Sequence, residues 1–211
     1  HVNMSELMEA HSVSKLIGSP PGYVGHDHVN SESFANKVRA NPYSVVLLDE
    51  IEKADPSVLQ ILLQVFEEGK MKDSRDREID FSNCYIIMTS NIGSALIQKN
   101  NTVGFGPVND DKVETANKIK KELTKTMAPE LINRIDNVII FNKLEKVHLY
   151  NICNLELRQV KAMIRKQLKL KLTYDSQVKN IIVDDCYEEG YGARPIKRYL
   201  RGTVMDNISD V

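Results

Sequence analysis

The chain has 211 residues, 42% of them hydrophobic, with 28 basic and 29 acidic residues and a formal net charge of -1. This is enough apolar material for one ordinary domain or for a large lobe plus a small one, and the balanced charge supplies no global basic field to draw nucleic acid or anionic membrane. Cys84, Cys153 and Cys186 form no CxxC pair, and no apolar run approaches the roughly 20 residues of a bilayer span, so a zinc site, a disulfide framework and a membrane segment all lack support and a reducing compartment is expected.

In chain order, the first residue is His1 rather than Met, and Val2-Asn3-Met4 reads as the end of a strand already under way. The expectation is a chain begun inside a longer polypeptide. Pro20-Pro21-Gly22-Tyr23-Val24-Gly25 cannot continue a helix or a sheet interior, because the prolines fix φ and remove donors while the glycines loosen the backbone. It is predicted to be a loop with an aromatic at its tip. Val45-Val46-Leu47-Leu48 is a short aliphatic run ending in Asp49-Glu50, the pattern of a parallel strand buried on both faces with its acids at the carboxyl edge.

Asp55-Pro56 is a helix start, cap followed by first-turn proline; Val58, Leu59, Leu62, Leu63 and Phe66 recur at helical spacing, and Gly69 ends the helix. Cys84 to Met88 is a second buried-strand run, closed by Thr89-Ser90-Asn91. Two apolar strands joined through a helix are the repeating unit of a three-layer α/β domain. Gln98 to Asp111 reads as a polar, Asn- and Gly-rich loop. Beyond about Asn142 the chain turns to charged helical stretches, Leu144 to Lys166, Ser176 to Val183 and Pro195 to about Asp206, the signature of a smaller helical lobe.

Asp49-Glu50 suits a nucleoside triphosphatase, in which the Asp holds magnesium and the Glu orients or activates the attacking water. Read alone, the pair fits an ordinary solvated strand end equally well. Its neighbours distinguish the two. Leu48-Asp49-Glu50-Ile51-Glu52-Lys53-Ala54, Leu62-Leu63-Gln64, Thr89-Ser90-Asn91-Ile92-Gly93, Ile132-Asn133-Arg134-Ile135-Asp136 and Tyr191-Gly192-Ala193-Arg194-Pro195 follow one another along nearly the whole chain. In that order they resemble the Clp branch of the AAA+ ATPases.

The resemblance implies an AAA+ α/β three-layer large lobe at 1–141, incomplete at its start, and a small helical lid at 142–211. It implies ATP and Mg2+ as cofactors, Asp49 and Glu50 as the Walker B pair, and Asn91 as sensor 1. Arg134 matches the arginine finger acting on a neighbouring subunit, and Arg194 matches sensor 2. The bland alternatives are a strand-end Asn91 satisfying its own turn, an Arg134 paired with Asp136, and an Arg194 on a solvated helix start. Gly22, Tyr23, Val24 and Gly25 match a substrate-gripping pore loop, where a tyrosine ring presses on polypeptide without reading sequence.

Val103, Gly104 and Phe105 sit where peptidase-partnered unfoldases such as ClpC carry a loop that docks into ClpP. Disaggregases of the ClpB type usually lack that tripeptide. The implied parent is a hexameric, ATP-driven unfoldase of the cytoplasm or an organelle stroma, acting on unfolded or tagged proteins and feeding a ClpP-type peptidase. The alternatives are a ClpB-like disaggregase and a non-hydrolysing interaction fragment.

Three departures stand out. His26-Asp27-His28-Val29-Asn30-Ser31-Glu32-Ser33 replaces an acidic-Gly-Gly-Gln stretch, and its two histidines lack a clear third protein ligand for a metal. Ser74-Arg75-Asp76-Arg77 replaces a Gly-containing turn. Nowhere does the sequence contain G-x-x-x-x-G-K-[ST], the nest of backbone N–H groups and lysine that holds the β- and γ-phosphates. In the family that segment lies upstream of the Val2-Asn3 strand, so the fragment itself is expected to be inactive.

Overall fold

Parallel pairing around one central strand organises the first part of the chain. The computed structural model describes residues 1–19, 33–94, 108–142, 144–187 and 192–205. The expected pore loop at 22–25, the histidines at 26 and 28 and the docking tripeptide at 103–105 lie outside them.

The chain forms two compact units, His1–Ile139 and Ile140–Val211. In the first, strands β1 (Val2–Asn3), β2 (Val45–Asp49) and β5 (Tyr85–Met88) form a parallel sheet in the order β1-β2-β5. The register sets Asn3 opposite Asp49 and Leu48 opposite Met88. Both neighbours of β2 therefore end level with its acidic end. Strands β3 (Lys70–Lys72) and β4 (Glu78–Asp80) make a separate antiparallel hairpin.

The crossover from β2 to β5 runs through the helix Pro56–Glu68. Its start and stop follow from local chemistry: the Asp55 carboxylate accepts from the Ser57 N–H, Pro56 occupies the first turn, and Gly69 closes the helix at φ 67° with its N–H donating to the Val65 carbonyl. Val58, Leu62 and Val65 from this helix join Met4, Leu16, Phe34, Val46, Leu48 and Ile79 in a continuous buried cluster.

The sheet departs from expectation on its other face. Val46 and Leu48 are buried, but Val45 is 62% exposed, and on β5 Tyr85 and Ile87 are 78% and 51% exposed. Val45, Tyr85 and Ile87 share that face, so these strands alternate as half-covered strands do. The outer edge of β5 has no strand partner among the described residues. The Gln98–Asp111 expectation is corrected at its end, where a helix begins at Val108 and runs to Thr126; residues 98–107 lie outside the described ones.

The second unit is helical: Lys146–Gln167, Ser176–Cys186 and Arg194–Tyr199. Leu149, Cys153, Leu157, Val160 and Ile164 recur at three- and four-residue spacing on the long helix and bury against Ile182, Val183, Cys186, Ile196 and Leu200. The last helix is shorter than expected, because from Leu200 to Met205 the backbone adopts a π-helix. No described helix is long and apolar enough to cross a membrane.

Candidate functional site

At the carboxyl end of β2 the chain turns sharply. Glu50 takes the left-handed conformation, φ 58° and ψ 51°, which costs a side-chain-bearing residue energy and is found where surrounding contacts over-determine it. The Glu50 N–H donates to the Thr89 Oγ1 at 3.1 Å, and the Ile51 N–H donates to the Thr89 carbonyl at 3.1 Å. Thr89 Oγ1 in turn donates to Asp49 Oδ1. One threonine hydroxyl thus fixes the backbone of Glu50 and the carboxylate of Asp49 together.

The side chains converge as well. Asn91 Nδ2 donates to Glu50 Oε1 at 3.3 Å, while Lys53 Nζ lies 3.5 Å from Glu50 Oε2. The Asn91 N–H donates to Glu52 Oε1 at 3.1 Å. Asp49 Oδ2 faces His1 Nε2 at 3.4 Å. Gly93, at φ 79°, completes the turn after Asn91, and a Cβ there would come within 3.1 Å of Ile119 Cγ1. Glycine meets the dihedral without strain and the approach without displacing Ile119.

Of the five catalytic residues expected from sequence, the structure joins three: Asp49, Glu50 and Asn91. Arg134 follows the short helix Pro129–Ile132 and pairs with Glu67 rather than with Asp136, Nη2 to Oε1 at 2.9 Å. Both members are about half exposed, so the pair is worth at most about 1 kcal/mol and holds the guanidinium only loosely. Arg194 is exposed at the first turn of its helix in the second unit.

Sequence reasoning did not single out Thr89 as the bridge, nor Glu52 and Lys53 as neighbours of the site. Their bonds span 39 or 40 residues, or depend on the left-handed turn, and neither is visible as a motif.

The carboxylates at this strand end are hard oxygen donors of the kind magnesium takes. Among the described residues no group of three or more His, Cys, Asp or Glu side chains is arranged to hold a metal ion by itself. A single carboxylate acting with nucleotide phosphates and water is the arrangement that the residues fit. They fit the magnesium and water side of a nucleotide site; the sequence contains no phosphate-binding loop to supply the other side.

Comparison with known proteins identifies the family. Residues 1–138 match the family described as AAA domain (Cdc48 subfamily), and residues 144–211 match the C-terminal, D2-small domain of ClpB protein. Over 212 aligned residues the chain is 44% identical to the chaperone protein ClpB of Oceanobacillus iheyensis and 44% identical to the negative regulator of genetic competence ClpC/MecB of Bacillus subtilis. Each alignment covers 99% of this chain and 26% of the relative, so the chain spans about a quarter of their length. Among solved structures, Hsp104 with ATPγS and FITC casein in its closed state superposes with a TM-score of 0.81 at 32% identity, covering 99% of this chain and 35% of that one. The chain therefore belongs to the AAA ATPase family, and within it to the Clp group in which an AAA domain is followed by a ClpB-type D2-small domain.

Proposed function

We propose that the chain is the greater part of one ATP-hydrolysing module, large lobe 1–141 and lid 142–211, of a ring-forming protein unfoldase. The observation that carries this reading is the bond from the Asn91 amide to the Glu50 carboxylate at the carboxyl ends of adjacent parallel strands. Open α/β sheets bind ligands at that edge. Glu50 has one oxygen held by Asn91 and the other near Lys53, so its carboxylate is oriented and charge-balanced to accept a proton from an attacking water.

Asp49, its carboxylate held by Thr89, would hold magnesium, whose chemistry would be to offset the negative charge of the ATP phosphates. Arg134 needs only to exchange an exposed partner, Glu67, for a neighbouring subunit's phosphate, a task suited to its planar, permanently charged fork. Arg194 would reach the phosphates from the lid.

In the whole protein, Tyr23 with Gly22, Val24 and Gly25 would grip unfolded or tagged polypeptide in the pore. Val103, Gly104 and Phe105 would dock a ClpP-type peptidase, with the assembly working in a cytoplasm or organelle stroma. The equal identity to a ClpB and a ClpC favours keeping a second reading, a ClpB-like disaggregase. The two part on whether the full protein hands substrates to a ClpP-type peptidase.

The test of the engine is Glu50→Gln in the full-length protein. The amide keeps the shape and loses the basicity, so ATP binding is expected to persist while turnover falls by about 10²-fold or more. Binding by calorimetry together with phosphate release measures both; unchanged turnover would remove Glu50 from the chemistry.

A further inference from the structure

Glu52 has no role in the mechanism above, yet it is built into the same corner. It stands in the turn Ile51–Lys53 that follows Glu50. Its Oε1 accepts the Asn91 N–H at 3.1 Å, and its Oε2 is buried with no hydrogen-bond partner among the described residues. A buried, unpartnered carboxylate oxygen is unfavourable, so this is not a place where a free surface glutamate would settle.

The geometry around Asn91 gives the position its meaning. A side-chain amide reaches a set point only if its own backbone is fixed, and the backbone of Asn91 lies at an exposed strand end where the sheet has already stopped. Thr89 is anchored by Ile51 and Glu50, and Gly93 is walled by Ile119. Between those two points the Glu52 carboxylate takes up the one N–H that belongs to Asn91 itself. Glu52 and Glu50 flank Ile51, so the segment that supplies the catalytic carboxylate also supplies the clamp on its partner.

We propose that Glu52 is a positioning residue for ATP hydrolysis: by accepting the Asn91 N–H it holds the Asn91 amide within reach of the Glu50 carboxylate. The inference rests on the reading of Glu50 and Asn91 given above.

Its test is a double-mutant cycle in the full-length protein, with kcat and KM for ATP measured on Glu52→Ala, Glu52→Gln, Asn91→Ala and the Glu52→Ala/Asn91→Ala pair. Glu52→Ala is expected to lower kcat about tenfold with KM moved less than about twofold, because nucleotide contacts are untouched while the geometry of the step loosens. Glu52→Gln keeps an oxygen acceptor and is expected to recover most of that loss. Acting through Asn91 means that the double variant turns over no more slowly than Asn91→Ala alone.

Multiplying defects, a Glu52→Ala kcat equal to the parent's, or a Glu52→Gln as slow as Glu52→Ala would each overturn the assignment. If Glu52→Ala does not assemble, Glu52→Asp, one methylene shorter, enters the same cycle with the same expectations. Glu50→Gln, run alongside, separates the two levels. Full turnover there sinks the site itself, whereas a stalled Glu50→Gln beside an unaffected Glu52→Ala sinks only the role of Glu52.

Discussion

Asp73 is a buried acid in the turn of the β3–β4 hairpin, where the sequence replaces an expected glycine turn by Ser74-Arg75-Asp76-Arg77. Its Oδ1 accepts the N–H groups of Arg75 and Arg77 at 2.9 Å each, and its Oδ2 accepts Arg77 Nε at 2.7 Å. Those bonds organise a turn in which Asp76 takes φ 59° without a glycine. Burial by itself would raise the Asp73 pKa; the side-chain and backbone bonds from Arg77, the backbone bond from Arg75 and the Arg77 charge together outweigh it and hold the pKa below its ordinary value of 3.8. A depressed carboxylate stabilises the fold above its unfolded pKa and loses that contribution as pH falls through the folded pKa. Asp73→Asn, which turns an amide donor toward Arg77, is therefore expected to cost about 1–2 kcal/mol at neutral pH, allowing for the partly exposed Arg77. The gap to the parent in urea unfolding should stay level from pH 7 to about 5 and shrink below about 4. A gap independent of pH would mean that the charge of Asp73 does not hold the turn. The same contrast governs the nucleotide site. Asp49, Glu50 and Asn91 are legible because their motifs attach a role to each of those positions, whereas Thr89 and Glu52, in the same motifs, act through bonds between distant segments that only the strand register brings together.

At the scale of elements, punctuation was easier to read than coverage. The helix Pro56–Glu68 has its cap, first-turn proline and closing glycine at the positions the sequence indicates. The start of the Val108–Thr126 helix was hidden because Val108-Asn109-Asp110-Asp111 is loop-like in composition and the helix is polar for most of its length. The strands β2 and β5 read as doubly buried because their residues are apolar; which face is covered depends on elements elsewhere. The helix stop allows a clean measurement. Gly69 lies at φ 67°, and a Cβ there would have its nearest neighbour, Ser82 Oγ, at 3.5 Å, ordinary contact distance. Gly69→Ala thus pays for backbone strain and not for collision, about 1–2 kcal/mol. Gly69→Asn, whose side chain tolerates the left-handed region, should lose less. Thermal unfolding of the three chains checks the order; equal losses for Ala and Asn would point to some cause other than the dihedral.

For the molecule as a whole, the separate cores of the two units make a prediction about cooperativity. The cluster around Leu62 draws its residues from Met4 to Leu131, and the cluster around Ile196 draws its residues from Leu149 to Leu200. Leu62 is 1% exposed and Ile196 0%, so truncating either removes fully buried methyl groups and leaves a cavity, at a cost of about 2–5 kcal/mol to the core that loses them. Sites that share no packing partners behave additively, to within about 0.5 kcal/mol, so neither loss should pass to the other unit. Hydrogen exchange followed by mass spectrometry on the 211-residue chain reads the two cores separately. Ile196→Ala should speed exchange in peptides from Lys146–Gln167 and Ser176–Cys186 while leaving those from Pro56–Glu68 and β2 at the parent rate; Leu62→Ala should do the reverse. Protection in a core reports the free energy of the smallest opening that exposes it, so the two patterns are distinct only if each unit opens by itself. Acceleration in both units by either substitution would make the chain a single cooperative body. In the proposed engine, independent opening is what lets the lid that carries Arg194 change its own packing without disturbing the corner where Glu50, Glu52 and Asn91 meet.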